Sequence, residues 1–407
     1  MKQWLSLSLG IVTAMGGFLD AGTIATAGEA GARFGLGLIW AVLLATLAVM
    51  LLVEMAGRFS AVSQKPYAAA IRENFGMRFF LLPLCSEMIA ESLLLTAELG
   101  GMSIAVSLVT GLSWRFFFPC AALLVFLMAW RAPFDWIENA PALLGLVTLS
   151  FVVAVFVLGG PSRGLWSTLW RPEIPQGDFA EYLYLVAAIL GSTISPYLLY
   201  FYSSGALEEG WSGRSLLLNR VTAYLGMSFG ALGSLALIVL GGMGLRPLHL
   251  TGSSLSQLVL PLRQAFGPAG PWLFALGLFA TCLGAAFEVV LGLSYMIAQG
   301  FGWEWGENKP PVRAARFNLT IIIVLCVALL IGSLGIDPLR LALFASTIIA
   351  LLLPFSLSPF LVLMNAPAYI GGQTNGRLKN LAMCAVLIVA FLVALISLPL
   401  VLLNSGG

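Results

Sequence analysis

Long apolar runs dominate the chain, separated by short polar stretches. Eleven such runs stand near residues 6–32, 37–57, 79–110, 115–130, 140–160, 183–206, 219–243, 268–300, 317–335, 339–365 and 380–404. A helix needs roughly 20 mostly apolar residues to cross a bilayer. The pattern predicts an all-α polytopic membrane protein with eleven transmembrane helices. No loop is long or polar enough to form a soluble domain, so a single membrane transport domain over 1–407 is expected. Two runs are interrupted in a similar way. GGFLDAGTIATAGEAG, residues 16–31, places Asp20 at membrane depth among Gly17, Gly22, Gly28 and Gly31. LGSTISPYLLYFYSSG, residues 190–205, carries Pro196 in the sixth run. Proline removes one helix hydrogen bond and disfavours helical geometry at the residue before it, here Ser195. Ser192, Thr193 and Ser195 supply hydroxyls that can satisfy the freed backbone groups. Broken helices at matching places in two five-span halves point to an inverted repeat, spans 1–5 and 6–10, with a substrate site between the breaks. The eleventh span falls outside that repeat.

Composition agrees with the pattern. Hydrophobic residues make up 60% of the 407, charged residues only 9%, and the mean hydropathy is +0.99; soluble globular domains do not look like this. No cleavable signal peptide is expected, because the first apolar run is too long for one. With the N-terminus cytoplasmic, 13 of the 20 Lys and Arg residues fall on the inner side, which the positive-inside rule favours. An odd number of spans then puts the C-terminus outside. The five cysteines (Cys85, Cys120, Cys282, Cys326, Cys384) are scattered singly through apolar segments, against a disulfide framework or thiolate site. The only histidine, His249, excludes a multi-histidine metal centre. Partners are limited to transported ions and the lipid bilayer. Nothing points to nucleic acid, an obligate protein partner or a bound cofactor.

An intramembrane acid is expensive and marks a functional site unless shown otherwise. Unwinding a helix beside Asp20 would expose carbonyls that bind a cation, with the carboxylate supplying charge. The alternative is a structural cap or packing hydrogen bond within the bundle. Glu87, Glu91 and Glu98 lie on the third span, Glu87 and Glu91 on one face. They read either as a stripe lining an aqueous exit path or as an internal hydrogen-bonded network with a basic partner such as Arg78. Glu288, equally deep in the eighth span, reads as a brace for an unwound turn or as a vestibule acid, with bracing preferred. Glu54, near the end of the second span, reads as interfacial. RPEIPQGD (171–178) and PPV (310–312) are loop turns. No HExxH motif and no serine–histidine pairing suggests an intramembrane enzyme.

The chain resembles the NRAMP family of divalent-metal transporters. That family carries Asp-Pro-Gly-Asn in the first segment, where this chain has Asp20-Ala21-Gly22-Thr23, then Ala25-Thr26 and Gly31-Ala32-Arg33-Phe34-Gly35. The sixth run, Gly191-Ser192-Thr193-Ile194-Ser195-Pro196-Tyr197, is similar to the family's Gly-Ala-Thr-Val-Met-Pro-His. Gln299-Gly300-Phe301 and Leu353-Pro354-Phe355-Ser356-Leu357-Ser358-Pro359 match later family motifs in order. The resemblance implies a LeuT-like fold, with metal bound by Asp20 and by residues at positions 23 and 195, helped by backbone carbonyls such as those of Gly17 and Ser192.

The departures narrow the expectation. The family's ligand Asn is Thr23 here, and its ligand Met is Ser195. A thioether favours softer transition metals, and a hydroxyl does not. A wider, all-oxygen site suits hydrated Mg²⁺, which gives up its waters reluctantly. The pattern resembles the NRAMP-related magnesium transporters, a prokaryotic branch, and places the protein in the inner membrane. Mn²⁺ should still pass. The family's His after Pro is Tyr197, whose phenol does not exchange protons usefully near neutral pH. Glu98 matches a family Glu, but the Asp three residues earlier is Leu95. The proton path looks cut, so transport without proton coupling is expected. Two alternatives stay open: a proton-coupled Mn²⁺/Fe²⁺ transporter, and a sodium-coupled organic-solute symporter of LeuT-like fold.

Overall fold

The computed structural model describes residues 18–131, 145–171, 174, 178–306, 309 and 312–405. Among the described residues the chain is helical, with no strand. The helices are α1 (Ala21–Phe34), α2 (Ile39–Ser63), α3 (Tyr67–Phe75), α4 (Met77–Thr110), α5 (Trp114–Arg131), α6 (Leu149–Val157), α7 (Arg163–Trp170), α8 (Phe179–Thr193), α9 (Tyr197–Glu208), α10 (Leu216–Gly244), α11 (Leu260–Phe266), α12 (Gly270–Gly300), α13 (Ala315–Gly332), α14 (Pro338–Leu363) and α15 (Arg377–Ser405). Eight helical stretches among the described residues are long and apolar enough to cross a membrane, with Phe179–Glu208 counted as one. Two shorter apolar helices, Trp114–Trp130 and Leu146–Val157, occupy the fourth and fifth runs. Only the second half of the first run, from Phe18 on, is described.

Local chemistry sets the helix ends. Asp337 caps α14 by accepting from Leu339 and Arg340 N–H at 3.1 and 3.2 Å, with Pro338 at the first helical position. Gly35, at φ +60°, ends α1 in a conformation that a side chain would strain. Burial sorts the helices into layers. In Phe179–Glu208, 89% of the apolar window is buried, against 33% in Arg377–Pro399. The broken helix is therefore central and α15 peripheral. Leu319, Ile323 and Leu330 of α13 and Ile388, Leu392 and Leu395 of α15 point outward, an apolar coat suited to lipid.

Two helix pairs meet backbone to backbone. At Gly31 of α1, a Cβ would stand 2.0 Å from the Ile238 carbonyl oxygen of α10. At Gly191 of α8, a Cβ would stand 1.7 Å from the Ser346 carbonyl oxygen of α14. Small residues at such contacts let membrane helices approach without side chains between them.

Glu54, near the end of α2, is fully buried. Its carboxylate meets Arg58 at 3.0 Å, Lys379 at 2.9 Å and Arg220 at 3.8 Å. Arg58 also donates to Asn375 Oδ1 at 2.6 Å and to the Gln373 carbonyl. The reason is that α2 continues to Ser63, and the segment before α15 lies over it.

Candidate metal centre

The start of α1 and the break between α8 and α9 come together. Asp20 is extended (φ −135°, ψ 179°) and buried, and its Oδ1 accepts the Thr23 N–H at 2.5 Å. The cap is therefore real: one carboxylate oxygen closes the first turn of α1. The Thr23 hydroxyl donates to the Phe18 carbonyl at 3.4 Å. Gly17 lies outside the described residues.

Across from it, α8 ends at Thr193 and α9 begins at Tyr197. Ser195 is buried in the break, and its hydroxyl donates to the carbonyls of Gly191 at 3.2 Å and Ser192 at 3.4 Å. A hydroxyl spent in this way still has lone pairs free to accept from water. Gly22 locates the junction. A Cβ there would lie 2.6 Å from Ser346 Oγ, 3.2 Å from Ser192 Cβ and 3.3 Å from Asp20 Oδ1. The first turn of α1, the last turn of α8 and the middle of α14 thus share one point. The C-terminal end of α8 brings partial negative charge to it, and Asp20 brings a full one.

The acids of α4 sit behind this junction. Glu98 accepts the Ala21 N–H with Oε1 and Oε2, both at 3.1 Å. Glu91 accepts the Tyr197 N–H at 3.4 Å. Ser356 of α14 donates to Glu87. No Lys or Arg pairs with Asp20, Glu87, Glu91 or Glu98 among the described residues. Arg78, the partner considered from sequence, is exposed near the start of α4. Glu288 of α12 lies, with Asp20, Glu91 and Glu98, within electrostatic reach of the buried Tyr197 phenol. Leu95 is fully buried in the core. Among the described residues, no group of three or more His, Cys, Asp or Glu side chains converges as a metal cage.

Sequence reasoning missed Ser346, fully buried beside Gly22, and Cys282, whose thiol contacts Glu98. A lone Ser in ALFAST and a lone Cys in FATCLG carry no signal of their own.

A polytopic bundle in which a broken helix meets a capped helix start at a buried carboxylate defines a class of membrane transporter. The family model described as natural resistance-associated macrophage protein-like matches residues 10–399, and the chain belongs to that Nramp family. It is 26% identical over 418 residues to a divalent metal cation transporter MntH of Mycobacterium tuberculosis, covering 100% of this chain and 93% of the relative. A Klebsiella pneumoniae protein of the same description is 25% identical over 374 residues, covering 89% and 86%. The fold is similar to that of the Eremococcus coleocola manganese transporter, with a TM-score of 0.74 at 21% identity over 97% of this chain and 87% of that one. It is also similar to Mhp1, a nucleobase-cation-symport-1 family transporter, with a TM-score of 0.62 at 15% identity over 97% and 92%.

Proposed function

We propose that this protein carries divalent metal ions, Mg²⁺ and Mn²⁺, across a prokaryotic inner membrane by alternating access, without moving protons. The carrying observation is the junction at Gly22, where Asp20 Oδ1, Ser192 and the end of α8 meet. In this reading Asp20 supplies the charge. Thr23, Ser195 and the carbonyls of Gly17 and Ser192 face the ion largely through its own water. The hydroxyls of Thr23 and Ser195 already donate to backbone carbonyls, which suits contact through water better than a stripped ion. A hard ion that keeps its hydration shell fits such a site. The metal is cargo, and no cofactor takes part.

The same reading assigns eleven crossings in one transport domain, with spans 1–5 and 6–10 as inverted repeats. It places the N-terminus in the cytoplasm and the C-terminus outside. Tyr197 and Leu95 interrupt the route by which a proton would travel with the metal. Such coupling is not needed: a divalent ion crossing the full membrane potential gains about 4.6 kcal/mol per 100 mV. The subtype is the NRAMP-related magnesium transporter.

A second reading is a proton-coupled Mn²⁺/Fe²⁺ transporter. Two observations favour it: the MntH relatives, and Glu98 held against the first turn of α1. The deciding experiment is uptake into proteoliposomes with dyes for Mg²⁺ and internal pH read together. Mg²⁺ uptake without acidification supports the first reading. Mn²⁺ uptake with acidification and none of Mg²⁺ establishes the second.

A further inference from the structure

We propose that Glu91 is a positioning residue of the transport cycle: it holds the first N–H of α9 and thereby sets where Ser195, two residues earlier, stands relative to Asp20. The inference rests on metal transport as such, and not on the preference for magnesium.

The backbone demands such a group. The first N–H groups of a helix have no intrahelical partner, and a buried one without an acceptor costs free energy. Pro196 immediately precedes α9 and itself lacks an N–H. Glu91 is 0% exposed and accepts that N–H. An anion at a helix N-terminus is favoured by the helix dipole, which offsets part of the cost of a carboxylate at this depth.

The same arrangement occurs at the start of α1. Glu98 accepts from Ala21, the first residue of α1. Glu91 accepts from Tyr197, the first residue of α9. Two acids seven residues apart on α4 thus each hold the first N–H of a helix. They stand roughly 10 Å apart along the axis, and that spacing is rigid because α4 is continuous through both.

Glu91 also ties α9 to a second reference. One turn earlier on the same helix, Glu87 accepts from Ser356 of α14. The Tyr67 hydroxyl, from α3, donates to the Ser356 carbonyl at 2.6 Å. The other half of the broken helix, α8, rests on α14 at Gly191 and Ser346. Both halves are therefore referred to one helix: α8 by direct backbone contact, α9 through the two carboxyls of α4. The gap between them, where Ser195 sits, is set by that strut.

The test compares Glu91→Ala, Glu91→Met and Glu91→Gln, with Mn²⁺ and Mg²⁺ uptake measured per monodisperse protein in liposomes. The Gln amide oxygen still accepts from Tyr197; Ala and Met offer no acceptor. Glu91→Ala should raise the apparent KM for Mn²⁺ by about tenfold, equivalent to ~1.4 kcal/mol. Glu91→Gln should stay within about threefold of wild type on the same scale. A purely structural role would lower the yield of folded protein and leave KM unchanged, which would overturn the inference. Equal loss in Gln and Ala would also overturn it, assigning the effect to charge instead. If Glu91→Ala does not fold, Glu91→Met against Glu91→Gln decides by the same criterion. Wild-type protein that moves Mn²⁺ but not Mg²⁺ would remove the magnesium reading and leave this comparison intact.

Discussion

Glu98 of α4 grips Ala21 of α1 with both carboxylate oxygens, each 3.1 Å from the same backbone N–H. The neighbouring residue, Asp20, uses its own carboxylate to cap the same helix two N–H groups further on. The first turn of α1 is thus closed by two acids, neither with a basic partner among the described residues, and its position relative to α4 is set by the Glu98 contact.

Asp20 has two separable jobs, capping and charge. Asp20→Asn keeps an oxygen for the Thr23 N–H and loses the charge. Asp20→Ala loses both, and removal of a cap costs about 1 kcal/mol. Both variants should abolish metal uptake into liposomes. Only Asp20→Ala should lower the thermal midpoint in detergent. Uptake surviving in Asp20→Asn would show that the charge is not needed.

Ser195→Met places a thioether in the break between α8 and α9. Softer metals should gain and magnesium should lose, shifting the Mn²⁺ over Mg²⁺ preference by about tenfold or more, ~1.4 kcal/mol. Competition of Mg²⁺ against Mn²⁺ uptake measures it directly. An unchanged ratio removes the argument from size and softness.

Glu98→Leu would leave the buried Ala21 N–H without an acceptor, at a cost of about 1–3 kcal/mol. Glu98→Gln keeps an acceptor. The Leu variant should unfold at lower temperature than the Gln variant. In an uncoupled carrier, Glu98→Gln should retain uptake, and an imposed pH gradient should not drive accumulation. Gradient-driven accumulation in wild type would restore proton coupling.

Glu54→Leu strips the counter-charge from Arg58, which is only 3% exposed. Breaking one partner of a buried ion pair costs about 3–5 kcal/mol. The variant should express poorly or melt well below wild type, and Glu54→Gln should fall between them.

Much of this was legible along the chain because local rules carry it. Pro196 and the hydroxyls around it announce the break after Thr193, whereas the cap at Asp20 stood in the sequence only as the alternative to an unwound turn. The apolar runs place the helices because a membrane-spanning stretch has no other way to satisfy its backbone. What stayed hidden depends on distant partners. Glu54 reads as interfacial, and only the fold shows Lys379 of α15, more than three hundred residues later, paired with it and Asn375 paired with its partner Arg58. Ser346 is one hydroxyl in an apolar run, and only the approach of Gly22 and Gly191 gives it meaning. For Glu87 and Glu91, spacing showed the shared face but not what faced it. Their partners come from α14 and α9, where a sequence reader would look for a lysine or an arginine.

The contact at Gly191 has a further bearing on selectivity. There α8 rests on the Ser346 carbonyl with no side chain between, so peptide geometry rather than any rotamer sets the separation. A hydrated ion is measured by radius as much as by ligand chemistry. On the proposed reading, a hard stop made of two main chains works as a fixed gauge behind the oxygens that face the ion. The bore of the pathway then becomes heritable through a position that never touches the ion, and even the smallest side chain at 191 would reset it.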